Sequence, residues 1–311
     1  MRASSANVLL IVLLSVIWGT AFLFITLGLD DFSPFLFAAL RFDIAGPVLL
    51  VAAFLMVRGQ AVPRGGAQWK AIGATSTLNI LGYHALLYWG QQHTLEAIAA
   101  VIVGLNPILA TVFSRALLPD ERVGRLGVAG LVLGLSGIAL LQLLKPGAAL
   151  DLQGLGELAV AAAVACWALG TVVSRRIDHK MPAVTLTAWQ MLIGAVLLHI
   201  TAFGLEGGGR MSWTAAGTGS LLYLALLSSA FGYFLFFFLV QRVGPIRTTV
   251  VSTLTPISAT IAGVLVLADP VEPRMLIAFG LIVVSFALVT QPWNVARDAA
   301  PPPSRGLPRQ P

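Results

Sequence analysis

The chain has 311 residues, 58% of them hydrophobic and only 10% charged, with a mean hydropathy of +0.90. Soluble domains carry about 25% charged residues, so the composition excludes one, along with a disordered chain or a coiled coil; the single cysteine, Cys166, excludes an intrachain disulfide and a CxxC metal or redox site. The net charge of +6 is scattered between long apolar runs, which argues against a nucleic-acid partner and for a membrane protein whose partners are the lipid bilayer and a small molecule.

A helix crossing the hydrocarbon core needs about 20 mostly apolar residues. Ten such runs follow one another: 8–28, 35–57, 71–89, 97–118 and 124–143, then 154–174, 183–204, 217–240, 248–268 and 275–291. Short polar connections separate them, marked by Asp30-Asp31, Pro63-Arg64-Gly65-Gly66, Pro119-Asp120-Glu121 and Gly207-Gly208-Gly209. Nothing alternates with period two, so a β-barrel is not expected. The first run continues through Trp18 to Leu29 without a small-residue cleavage site and reads as a true span rather than a signal peptide. The Pro- and Arg-rich stretch 293–311 reads as a disordered cytoplasmic tail. Placing the N-terminus in the cytoplasm puts fifteen Lys and Arg in inner segments and three in outer ones, with Arg41 inside a span. The positive-inside rule then sets both termini in the cytoplasm.

The two halves resemble each other. Leu105-Asn106-Pro107-Ile108-Leu109-Ala110-Thr111 matches Leu254-Thr255-Pro256-Ile257-Ser258-Ala259-Thr260. Asp120 and Asp269 each follow their proline by 13 residues, and Arg125 and Arg274 each by 18. Gly82-Tyr83 recurs as Gly232-Tyr233, while Trp18 and Trp167 precede Pro34 and Pro182 by 16 and 15 residues. Five spans per half is an odd number, so the second copy enters the membrane from the opposite side. The expected fold is an all-α membrane protein of ten transmembrane helices, built as two inverted five-helix repeats over 6–145 and 152–292, with a substrate site near the midplane.

These features resemble the EamA family of the drug/metabolite transporter superfamily. The resemblance is carried by Trp18-Gly19-Thr20-Ala21-Phe22, by Ala39-Leu40-Arg41-Phe42, by Leu118-Pro119-Asp120-Glu121-Arg122 and by the Gly-rich run from Gly127 to Gly134. It covers roughly residues 6–292 and implies a five-plus-five repeat and a small-metabolite exporter in the cell (inner) membrane, while the sparse Lys (3) against Arg (16), with abundant Ala and Gly, points to a prokaryote.

Candidate cargo contacts follow from depth, at about 1.5 Å of rise per residue. Trp18, Asn106 and Thr255 fall near mid-span, Trp167 close to it, and Tyr83, His84 and Tyr233 at mirrored depths. Trp189 and Gln190 complete an aromatic and hydrogen-bonding set. Pro107 and Pro256 each remove one helical hydrogen bond in mid-span and are expected to act as paired hinges. Arg41 lies two turns inside its span, where a guanidinium either grips a carboxylate or turns back toward Asp30 or Asp31 and the headgroups. Asp43 and His84 are the candidates for proton coupling. His199 and His93 carry less weight. The Gly127, Gly130, Gly134, Gly137 stripe predicts close packing within the chain ahead of dimerisation, hence a monomer or weak homodimer.

The Gly134-Leu135-Ser136-Gly137 pattern raises an intramembrane serine protease, but a glycine stripe explains it more simply. A receptor or scaffold predicts long recognition loops that the sequence lacks, and there is no GxxxxGK[ST] loop for an ATP-driven pump. No enzyme activity and no cofactor are expected. The reading is a secondary exporter of amino acids or related carboxylates working by alternating access. The alternative is an exporter or facilitator of neutral or cationic toxic compounds.

Overall fold

The computed structural model describes residues 5–57, 59–118, 129–130, 132–134, 136–137, 139–140, 151–243 and 250–290. Apolar runs satisfy their own backbone polar groups when helical, and the described runs are helices. They are α1 (Ser5–Leu29), α2 (Pro34–Met56), α3 (Gly66–Thr75), α4 (Tyr83–Gln91), α5 (Glu96–Val103) and α6 (Asn106–Leu117), then α7 (Leu152–Ile177), α8 (Ala183–Glu206), α9 (Ala215–Leu222), α10 (Gly232–Val243), α11 (Val250–Ala262) and α12 (Pro273–Thr290). Three segments widen into π-helix: Ser76–Gly82 between α3 and α4, Tyr223–Phe231 between α9 and α10, and Gly263–Leu267 after α11. Among the described residues the only β pairing is an isolated bridge between Phe32 and Met211.

Among the described residues, six segments are long and apolar enough to cross a membrane: Ala6–Leu29, Pro34–Met56, Glu96–Leu117, Leu152–Ile177, Ala183–Glu206 and Ala215–Leu239. The third expected span is helical but is not among these six, and the ninth and tenth give the shorter apolar helices Leu254–Leu267 and Pro273–Ser285. Most of the fifth, the Pro119–Arg122 turn with Asp120, Arg125 and Gly127, and the 293–311 tail lie outside the described residues. Among the described residues, helix length and composition therefore single out six of the ten expected crossings. Leu9, Leu55, Phe203, Leu205 and Leu265 point outward and are exposed, the surface a lipid-facing protein presents.

The fourth run departs from the expected single kinked helix. α5 stops at Val103, and Gly104 and Leu105 close a tight turn in which Leu105 N–H donates to Ile102 O at 3.0 Å. Pro107 then stands in the first turn of α6. A proline there gives up an N–H that would have had no helical partner anyway. Pro256 instead lies inside α11, as the sequence suggested for both.

α2 and α8, the second helix of each half, pack antiparallel. At one end the Glu206 carboxylate accepts the N–H groups of Phe35 and Leu36 at 3.0 and 3.2 Å, capping α2. At the other, Thr185 Oγ and Trp189 Nε1 donate to the carbonyls of Gln60 and Ala61. These ends define an Asp31 face and an Ala61 face. The remaining packing follows the same exchange of halves: α1 lies on α11, α9 and α10, while α7 lies on α5, α6 and α4; one π segment packs on α2 and the other on α8. At the Asp31 face Gly207, Gly208 and Gly209 all have positive φ, a reversal that only glycine makes without strain. It delivers Arg210 N–H to Ser33 Oγ at 2.6 Å and Thr214 to Asp31.

Candidate functional site: a chamber between the halves

A chamber of about 850 Å3, measured to its open mouth, lies where the halves meet. Eight of the residues singled out from the sequence line it: Trp18, Arg41, Tyr83, His84, Asn106, Trp167, Tyr233 and Thr255. Apolar stretches come from Ala21, Phe22, Ile25, Leu87, Ala100, Val103 and Val164.

The rings form a continuous belt. Tyr83 meets Trp167 at 5.0 Å, Trp167 meets Tyr233 at 6.3 Å, and Tyr233 meets Trp18 at 5.7 Å between centroids. The π segments Ser76–Gly82 and Tyr223–Phe231 build it. Each ends at the repeated Gly-Tyr pair, and the glycine lets the neighbouring helix approach: a methyl at Gly232 would sit 2.7 Å from Trp18 Nε1, and one at Gly82 would sit 3.1 Å from Cys166 Sγ. π-helical turns also leave carbonyls for side-chain donors, which is why they recur at functional sites. Trp18 Nε1–H donates to Ser228 O at 3.1 Å, and His84 Nδ1 meets the carbonyls of Asn79 and Ile80 at 3.1 and 3.2 Å. A carbonyl only accepts, so His84 donates through Nδ1, and in the neutral ring Nε2 is then the acceptor.

Arg41 is only 6% exposed. Its guanidinium donates to Ser229 Oγ at 2.7 Å, Tyr88 Oη at 3.0 Å and Ser228 Oγ at 3.2 Å, and lies 5.4 Å from the Phe42 ring centroid. No carboxylate pairs with it among the described residues. It does not turn back to Asp31, which bonds Thr214 instead. Asn106 Oδ1 is buried at the chamber without a hydrogen-bond partner among the described residues, whereas Thr255 donates to Val251 O at 2.8 Å.

The other singled-out residues lie elsewhere. Trp189 packs edge-on against Trp69 at the Ala61 face, and Gln190 is buried outside the chamber lining. Trp189 points away because α8 presents that position to the loop before α3 rather than to the cleft. Asp43 is also absent from the lining and binds His199 Nε2 at 2.8 Å across α2 and α8, with both side chains partly exposed. Residues two apart on a helix point to different faces, so Asp43 cannot share the cleft that Arg41 enters. His93 lies in the loop before α5 against Trp89. Ser136 donates to Val132 O at 2.9 Å, a helical back-bond. Pro107 opens α6, and Pro256 borders a separate apolar cleft.

Sequence reasoning missed Tyr88, Ser228 and Ser229. Tyr88 reads as a span-end tyrosine, and the serines as ordinary helix-packing residues; their meeting with Arg41 depends on contacts 47 to 188 residues apart in the chain.

The EamA-like transporter family matches residues 5–143 and again 154–291. The uncharacterized transporter YvbV of Bacillus subtilis is 29% identical over 292 residues, covering 94% of each chain. The uncharacterized inner membrane transporter YedA of Escherichia coli K12 is 28% identical, covering 89% of this chain and 88% of its own. A WAT1-related chloroplastic protein of Arabidopsis thaliana is 28% identical over 88% of this chain and 67% of its own. One crystal structure superposes with a TM-score of 0.65 at 26% identity, covering 95% of this chain and all of the other. The chain, with two copies of the family's unit around one chamber, belongs to the EamA-like transporter family: it is a multi-pass membrane transporter, not an enzyme.

Proposed function

We propose that this transporter is a secondary exporter of amino acids or related carboxylates, working by alternating access in the inner membrane of a prokaryote. Its ten spans form two inverted five-helix repeats with both termini in the cytoplasm, so the Asp31 face is external. The antiparallel packing of α2 on α8 supports the inversion, and the fifteen-to-three distribution of Lys and Arg supports the orientation. Two oppositely oriented copies of one unit give inward-open and outward-open states of similar energy, which is what alternating access requires.

One observation carries the cargo assignment. Arg41 is a buried cation at the chamber whose described partners are all neutral hydroxyls. A guanidinium matches a carboxylate through two parallel hydrogen bonds, and three hydroxyls hold its fork in place. The ring belt covers the apolar part of the cargo, and Asn106 Oδ1 and His84 Nε2 offer acceptors for an ammonium group. Aromatic faces also attract cations, which is the case for the alternative cargo class, but a fixed positive charge in the same chamber opposes it.

Counterflow in proteoliposomes tests the assignment, with a panel of amino acids, carboxylates, and neutral and cationic drugs, each with and without a pH gradient. Saturable counterflow of carboxylated cargo that collapses in Arg41→Gln is the expected result. Unchanged carboxylate flux in that variant, or saturation only by cations, overturns it.

A further inference from the structure

The charged groups at the Asp31 face fall into two sets near α5 and α12. Arg274, at the start of α12, meets Glu157 of α7 at 3.3 Å and Glu272 beside it, and is itself buried. The second set has no cation among the described residues. Glu96, the first residue of α5, is 1% exposed, and Asp269 follows the π-helical end of α11. Their carboxyl groups converge over Gly263: a methyl there would collide with Glu96 Oε1 and lie 3.2 Å from Asp269 Oδ2. Those two oxygens are buried, and neither has a hydrogen-bond donor among the described residues. The neighbouring titratable groups are otherwise engaged. His93 packs on Trp89, and Glu157 and Glu272 face Arg274.

Asp269 is half-buried as a residue, but its Oδ2 faces Glu96 Oε1 with both oxygens buried, and two carboxylates brought together in this way resist being ionised at once and share a proton. We propose that Glu96 and Asp269 form a proton-binding site, one proton bridging Glu96 Oε1 and Asp269 Oδ2 and latching the Asp31-face ends of α5 and α11 together. Both helices line the chamber, through Ala100 and Val103 of α5 and Thr255 of α11, so the latch acts on the walls of the cargo site. Proton loss leaves two buried like charges, and separating the helix ends to reach water relieves them. The chamber then opens at the Asp31 face. The device is one-sided: 149 residues away, Asp269 has its counterpart in Asp120, but Glu96 has Pro245. A proton that binds one state better than the other shifts the equilibrium by that difference, which is the requirement for coupling flux to a pH gradient.

The gating half of the proposal rests on the alternating-access reading; the proton site does not. Infrared titration of the full chain in liposomes reads the site directly. A carboxylic-acid C=O band that titrates as one proton in wild type and vanishes in both Glu96→Gln and Asp269→Asn is expected. Its absence from wild type, or its persistence in both variants, overturns the site. Gating is read without cargo, from the labelling of Val103→Cys in a Cys166→Ser background by an impermeant thiol reagent. Measured against the Glu96→Gln form at the same pH, which cancels the thiol's own ionisation, labelling is expected to rise by up to about tenfold per pH unit through the titration. A constant ratio overturns the latch while leaving the carboxylate-export reading to its own counterflow test.

Discussion

Residues 41 and 189 hold the same place in the two halves, each seven residues after the proline that opens its helix. In the first half the position is an arginine held by Tyr88, Ser228 and Ser229 at the chamber. In the second it is a tryptophan that donates to Ala61 O at 2.9 Å and packs on Trp69 at the Ala61 face. The fourth and ninth runs differ in the same way. One breaks at Gly104 so that Pro107 starts a helix, and the other runs through Pro256 with Thr253 in the place of Gly104. The duplicated frame thus sets where elements lie; Trp18 and Trp167, and Tyr83 and Tyr233, keep one task, while the copies at positions 41 and 189 have been given different ones. The proposed alternating-access export of a carboxylated cargo would need this: symmetric walls for two interconvertible states, but only one charged pole for an asymmetric cargo.

The sharpest way to break the comparison is to remove each member of the 41/189 pair. Arg41→Gln is expected to reduce counterflow of carboxylated cargo about a hundredfold, since truncating one partner of a buried charge pair costs 2–5 kcal/mol. Trp189→Phe, losing one hydrogen bond worth about 1 kcal/mol, is expected to lower thermal stability slightly and leave cargo preference alone. Equal losses of flux in both variants would show that position 41 is only structural.

Next in size is a packing contrast. A methyl at Gly19 would collide with Ser258 and lie 2.7 Å from Thr255 O, whereas the matching residue on α7 is already Ala168, fully buried. Gly19→Ala is expected to destabilise the detergent-solubilised protein by about 1–3 kcal/mol in a thermal-shift measurement. Ala168→Gly, which leaves a small gap and a looser helix, is expected to cost about 1 kcal/mol.

The prolines separate less in stability than in kinetics. Pro107→Ala is expected to change stability by under about 1 kcal/mol, because a first-turn proline displaces no ladder hydrogen bond. Pro256→Ala restores an interior N–H and is expected to stiffen α11 and slow turnover, read from counterflow rates. If Pro107→Ala slows turnover as much, the break at Gly104 is not what distinguishes the two runs.

The smallest effect lies outside the spans. His179 Nδ1 accepts Met181 N–H at 3.0 Å, and partial burial holds the imidazole below its ordinary pKa. A histidine kept neutral by the fold stabilises above its unfolded pKa, and that contribution fades as pH falls through the lowered folded value. Below pH about 6.5, His179→Gln is therefore expected to flatten the acid side of the stability profile by under about 0.5 kcal/mol, as the ring is half-buried and screened.

Much of this was legible in the sequence because lipid leaves the backbone few options. Apolar runs must be helices, and the recurrence of Trp18 with Trp167 and of Tyr83 with Tyr233 pointed to one shared chamber. Other features were not. A widening from i→i+4 to i→i+5 bonding leaves no periodic mark in Ser76–Gly82 or Tyr223–Phe231, and Gly104 looks no different from a packing glycine. Trp189 and Gln190 are of the same aromatic and amide kinds as Trp18, Trp167 and Asn106 in the lining, yet the position and rotation of α8 carry them elsewhere.

By itself, then, the sequence determined membrane residence, duplication and the kinds of side chain available at mid-depth, since these follow from hydropathy, spacing and helical rise. Tertiary structure alone decided that Arg41 meets hydroxyls rather than a carboxylate, that Asp43 meets His199, and that Glu96 meets Asp269. Apart from Arg41 with Tyr88, 47 positions apart, these meetings join residues from opposite halves of the chain, and only the rotation and crossing of packed helices fixes which of many similar side chains come together.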